Sequence, residues 1–131
     1  MKLIYIAGPF RAASQHCPGH QDMFAVQENI MAAMKLGLEV ARTPGCFPVI
    51  PHANTMFFTG SAPDHVWLEG DIEMLRRSDA LLVTSEWHRS SGARAEVEYA
   101  KTHGIPIHYS IDEARQWLAD GCPGAHSVAG Q

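Results

Sequence analysis

Four short apolar runs, Leu3–Ala7, Phe47–Ile50, Ala80–Val83 and Ile105–Tyr109, are each separated from the next by a stretch of helical character. Strands joined through helices lie parallel, because a parallel neighbour needs a long crossover, and that crossover is right-handed. The alternation therefore predicts an α/β fold: a three-layer, flavodoxin-like, doubly wound parallel sheet of about four to five strands with helices on both faces. Pro48 cannot donate to a central ladder, so the second strand belongs at an edge. One domain over residues 1–120 accounts for the elements, with 121–131 as a flexible tail.

Between the strands, Asp22 reads as the N-cap of a helix from Met23 to about Arg42. Val26, Ile30, Ala33, Gly37, Leu38 and Ala41 form its expected core stripe, and Met23, Met31 and Met34 widen the apolar surface. Pro63 opens a second helix that runs to about Arg77, with Val66, Trp67, Gly70, Met74 and Leu75 on its apolar side and Asp71 among them. A third starts at Ser90 or Ser91 and ends before Gly104, and Asp112 is expected to cap a last one over Glu113–Leu118. Asp79 fits a role in satisfying backbone donors in the turn before its strand. The segment from Phe10 to Gln21 reads as a loop. Residues 56–62, with Phe57 and Phe58, suggest a pocket wall or lid.

Composition narrows the function classes. A formal net charge of −4 over 131 residues lacks the basic surplus of a nucleic-acid binder. No apolar stretch approaches membrane-spanning length and no signal segment opens the sequence, so neither nucleic acid nor membrane is an expected partner and a cytoplasmic location is expected. Cys17, Cys46 and Cys122 form no CxxC pair, which argues against a structural zinc site or a disulfide framework. His16 and His20 are four apart, but Pro18-Gly19 breaks the helix that would align them, so no metal is expected there and no cofactor is called for.

In open α/β sheets ligands bind at the carboxyl ends of the strands, near the point where strand order reverses. Three segments gather there by chain order: Tyr5 to Arg11, His52 to Asn54, and Ser90 to Glu96. The last is strand, polar loop and helix start in succession, which makes an anion seat of free amides beside a glycine. Glu96 lies one to two turns into that helix, within reach of the same crevice, and the helix dipole is expected to favour its ionised form. Each assignment has a plainer alternative. Ser90 can be only a cap, Tyr5 only core, and Asp71 a partner for Arg76, Arg77 or Arg94. His52 can simply satisfy loop backbone. Trp67 and Trp87 are candidates for stacking on a base, or for core packing.

Taken together, Tyr5-Ile-Ala-Gly-Pro-Phe-Arg11, Gly70-Asp71 leading to Asp79-Ala80, and Ser90-x-Gly92-x-x-x-Glu96-x-Glu98-x-Ala100 resemble the nucleoside 2-deoxyribosyltransferase and nucleotide N-glycosidase superfamily. The likeness runs from the start to about Tyr109. Pro51-His-Ala-Asn-Thr55 and Trp87-x-x-Ser90-x-Gly92 further resemble an uncharacterised bacterial and phage branch. The resemblance implies an enzyme, a transferase or hydrolase, acting on the N-glycosidic bond of a nucleoside or nucleoside 5′-monophosphate. It implies Glu96 as nucleophile, Asp71 orienting the sugar or assisting the departing base, and Tyr5 positioning Glu96. Arg11 and Ser90, with N–H groups near Gly92, would hold a 5′-phosphate, and Gly8 of the phosphate loop would contact substrate; His52 and Asn54, apart from the resemblance, lie at the edge of the sheet where a base or sugar can be read. The loop departs from phosphate-preferring members at Pro9, where serine is usual. A homodimer or homotetramer is implied as well. The chemistry suits the assignment, since a carboxylate stabilises positive charge building on the sugar ring, and two carboxyls roughly 5 Å apart fit a retaining displacement. Glu98 lies about 200° from Glu96 around the helix and is read as solvated. The competing reading is a module that binds or senses a nucleotide without turning it over; flavin binding is a weaker third.

Overall fold

The computed structural model describes residues 1–125. Four strands, β1 (Lys2–Ala7), β2 (Cys46–Val49), β3 (Ala80–Val83) and β4 (Ile107–His108), form one parallel sheet in the order β2-β1-β3-β4. Helices α1 (Met23–Ala41), α2 (Pro51–Asn54), α3 (Asp64–Arg76), α4 (Ser91–Thr102) and α5 (Ile111–Ala119) complete the fold, with one 3₁₀ turn at Trp87–Arg89. Strand side chains alternate between two cores. Ile4, Ile6, Ala80 and Leu82 pack with Ala33 and Val40 of α1 and Ala114 and Trp117 of α5. Tyr5, Ala7, Leu81 and Val83 pack with Leu75 of α3 and Val97 and Ala100 of α4. The result is the three-layer α/β arrangement that the alternation predicts.

Pro48 pairs with Ile4 from the edge strand, where its missing N–H faces no neighbour. Asp79 closes the turn before β3: its backbone N–H donates to Leu3 O and its carboxylate accepts from Leu3 N at 2.8 Å. Asp22 caps α1 as expected, accepting from Ala25 N.

Several boundaries and faces differ from the sequence reading. The buried side of α1 is Val26, Ala33, Gly37 and Val40, whereas Leu38 and Ala41 face outward. The apolar spacing alone fits either choice, and packing on the sheet selects the stripe that includes Val40. Residues 51–54 form a short helix rather than a loop, since Pro51 suits a first turn. Ser110, not Asp112, caps α5 by accepting from Glu113 N at 3.2 Å, so that helix begins earlier. β4 shrinks to two residues. The loop after β1 carries its own structure, with a bridge between Ala13 and Gln21 and a bond from Ser14 N to His20 O. Residues 121–125, read as the start of a tail, fold back: Cys122 N donates to Trp117 O, and the Trp117 indole donates to Pro123 O. The rest of the expected tail, 126–131, lies outside the described residues.

Candidate active site

Tyr5 is the third residue from the end of β1 and points to the α3/α4 side of the sheet, where it is fully buried. A phenol there needs a partner for its hydroxyl. Glu96, six residues into α4, provides it: the Tyr5 hydroxyl donates to Glu96 Oε2. Ser90 caps α4 by accepting from Ala93 N at 3.1 Å, which fixes the helix start and so the height of Glu96 above the sheet. Asp71, in the middle of α3, completes the cluster. Its charge acts on both Tyr5 and Glu96, and among the described residues it has no ion pair. The arginines expected as its alternative partners are engaged elsewhere. Arg76 and Arg77 pair with Glu73, and Arg94 donates to His88 O at 2.7 Å.

The electrostatics correct one expectation. Burial, reinforced by the charge of Asp71, pushes the Glu96 carboxyl up to about 8, with the Tyr5 hydrogen bond pulling the other way. Glu96 is the sixth residue of α4, and the dipole acts within the first turn, so desolvation wins over it. Burial also raises Asp71 to about 6, and the Tyr5 hydroxyl is raised well above 10 by burial and the two acids. At neutral pH the cluster thus holds a neutral Tyr5 that can donate, a mostly protonated Glu96 and a mostly ionised Asp71. Two interacting carboxyls that share one proton are a recurrent acid–base device.

Around this pair the other predicted residues fall into two groups. At the tip of α4 the amides of Ser91 and Gly92 have no acceptor among the described residues. A Cβ at Gly92 would meet only Ser90 Oγ at 3.7 Å, so space is open above them. Gly92 lies four residues before Glu96, about 6 Å along the helix axis. Gly8 is constrained by the fold itself: a Cβ there would sit 2.4 Å from Thr84 Oγ1. Glu98 is exposed, as expected.

The second group serves the protein's own backbone or neighbours. His52 is buried, and its Nε2 lies 3.0 Å from Gly8 O and 2.9 Å from Pro9 O. Carbonyls only accept, so Nε2 carries the proton, and burial keeps the ring neutral. His52 thus pins the loop after β1, as the plainer reading had it. Arg11 forms a 2.7 Å ion pair with Asp64 at the start of α3, both half exposed, so it is already engaged. Asn54 is exposed and lines a groove of about 450 Å³ with Phe47, Pro48, Val49, Ile50, Ala53 and Met74; neither acid lines that groove. Trp67 lies one turn before Asp71 on α3 and packs against Phe58, its ring tilted, at 5.6 Å, while Trp87 packs against Tyr109 at 5.9 Å. Sequence reading missed Asp64 and Thr84. Thr84 is the first polar residue after the β3 run, the only signal it offered.

A family model described as a domain of unknown function (DUF4406) matches residues 2–109. The chain belongs to that family. The matched span holds the four described strands, α1 to α4, and Tyr5, Asp71 and Glu96, so the whole cluster lies within the DUF4406 region and, among the described residues, α5 is the one helix beyond it. No curated protein and no solved structure matches the chain.

Proposed function

We propose that this DUF4406 domain cleaves, or transfers across, the N-glycosidic bond of a nucleoside or nucleoside 5′-monophosphate. The observation that carries the proposal is the part-buried hydrogen bond from the buried Tyr5 to Glu96, with the charge of Asp71 acting on both. A fold holds two unneutralised carboxyls together against a phenol at a cost in stability, and such a cost is characteristic of sites that handle protons or developing charge. Likeness of the flanking motifs to the deoxyribosyltransferase and N-glycosidase superfamily supplies the substrate class.

The chemistry follows from the protonation states. As the bond between the sugar and the base stretches, positive charge grows on the ring and favours the ionised form of Glu96. The proton held by the pair leaves for the departing base, which must take one up to depart neutral. Glu96 then bonds to the anomeric carbon, held in line by the Tyr5 hydroxyl, and Asp71 remains to receive a proton from the incoming acceptor. Water as acceptor gives hydrolysis, and a second base gives transfer. The open amides of Ser91 and Gly92, with the Ser90 hydroxyl, would take a 5′-substituent of the sugar.

The test is release of free base from a panel of nucleosides and their 5′-monophosphates, with and without a second base, by chromatography. The expected result is turnover by the native protein that is lost in Glu96→Gln and strongly reduced in Asp71→Asn. Binding of a nucleotide without turnover, equal in native protein and Glu96→Gln, would instead establish a sensing module.

A further inference from the structure

Two of the three cysteines, Cys46 and Cys122, are far apart in the chain and end in one place. Cys46 opens β2 and is buried, its thiol 3.3 Å from Val40 O and 3.4 Å from Thr43 O. Arg115 of α5 donates to Thr43 Oγ1 at 3.3 Å, which sets α5 beside the turn that leads into Cys46. Beyond α5 the chain folds back on itself. Gly121 N donates to Leu118 O and Cys122 N to Trp117 O, the two bonds of a Schellman ending, in which the second residue past the cap packs on the last turn of the helix. Cys122 is that residue. It is half-buried and packs against the core cluster that contains Cys46 and Trp117. Its φ of 59° is the one left-handed backbone outside glycine among the described residues, a conformation that a side chain with a Cβ adopts at a cost. Both thiols are free.

A buried cysteine commonly serves as a small apolar filler. Two features set this pair apart. The sulfurs are near enough to act on each other: burial pushes the Cys46 thiol up, a charge on Cys122 pushes it further, and Arg115 pulls the other way. Their access to solvent is also unequal, with Cys46 only 3% exposed and Cys122 open on one side. An oxidant meets Cys122 first, and Cys46 is held behind it. We propose that Cys46 and Cys122 form a reversible intramolecular disulfide that staples the segment after α5 to the edge strand β2. The step is thiol–disulfide exchange with a small-molecule disulfide such as oxidised glutathione. The Cys122 thiolate attacks one glutathione sulfur, the glutathione S–S bond breaks and the first glutathione thiolate leaves. Cys46 then gives up its proton and its sulfur attacks the Cys122 sulfur, so that the bond to the second glutathione breaks. The protons of the two cysteines end on the two released glutathiones, and two electrons pass from the protein to the oxidant. The pair lies on the α1/α5 face of the sheet and the Tyr5–Glu96 cluster on the α3/α4 face, so the proposal stands whatever reaction the cluster performs.

Intact-mass spectrometry of the full chain tests the bridge. Cys17 is exposed in the loop after β1, so Cys17→Ser removes the third thiol without touching the core. This protein is held folded in oxidised glutathione, then unfolded and treated with an alkylating reagent. The expected product has lost about 2 Da, takes no label, and yields on digestion one peptide pair joined through Cys46 and Cys122. Dithiothreitol should restore both labels. Because the bridge closes a long loop, oxidation should raise the melting temperature by roughly 5–15 °C. Cys122→Ala, at a half-buried position, should abolish that rise. Two labelled thiols after oxidation overturn the proposal, and so does glutathione left on Cys122 with Cys46 still free. A bridge that forms only in urea, or only between two chains, overturns it equally. A bridge that leaves the melting temperature unchanged refutes the staple.

Discussion

Replacing Glu96 with glutamine isolates the electrostatic cost of the buried acid. In the unfolded chain this carboxyl ionises near 4.5, and in the folded protein burial and Asp71 hold it near 8. Between those values the folded protein keeps a proton that the unfolded chain has lost. Stability therefore falls as pH rises through that window, and above it the whole penalty is present. At about 1.4 kcal/mol per tenfold change in proton affinity the shift corresponds to on the order of 5 kcal/mol. Because Asp71 shares the titration, the part assignable to Glu96 alone is about 2–4 kcal/mol. Glutamine keeps an oxygen to accept from Tyr5 and never ionises. Melting curves of both proteins from pH 4.5 to 9 should show a difference that grows in favour of Glu96→Gln as pH rises, reaching roughly 6–15 °C. A difference that stays flat across this range would refute the claim that the fold holds Glu96 protonated.

Four further outcomes follow from named contacts. Because the pair must keep one proton for the departing base while its other carboxyl is ionised, kcat/KM for base release should be highest between pH about 6 and about 8 and fall on either side. Tyr5→Phe removes the hydrogen bond that favours the ionised form of Glu96, so the alkaline limb moves to higher pH and stability drops by about 1–3 kcal/mol, read by denaturant titration. Gly8→Ala forces a methyl within 2.4 Å of Thr84 Oγ1 and should cost about 1–3 kcal/mol, most of it recovered in Gly8→Ala/Thr84→Ala; equal losses in single and double variants would count against the contact. Asp79→Ala strips the Leu3 amide of its acceptor and should lower stability by about 1–3 kcal/mol, with faster hydrogen exchange at Leu3.

The sheet was legible because short apolar runs and helical spacing are local properties, and their alternation leaves few topologies. The caps at Asp22 and Ser90 were legible for the same reason, since a cap concerns residues two or three apart. The α1 face was not. Residues 26, 33 and 40 and residues 24, 31 and 38 are equally regular, and only the sheet decides which series is buried. Tyr5, Asp71 and Glu96 could be named as candidates, but their protonation could not. Local reasoning saw a carboxylate near a helix start, while the folded chain surrounds it with core and a second acid. Arg11 looked available until Asp64, far along the chain, was brought against it. His52 looked like a ligand residue until the loop carbonyls of Gly8 and Pro9 closed on its ring. The sequence by itself thus determined the layers, the strand order's parallel sense and the list of chemically able side chains, because these depend on spacing along the chain. Tertiary structure alone decided which of them are partnered, which are desolvated and which face outward, because solvation and pairing depend on neighbours that spacing cannot supply.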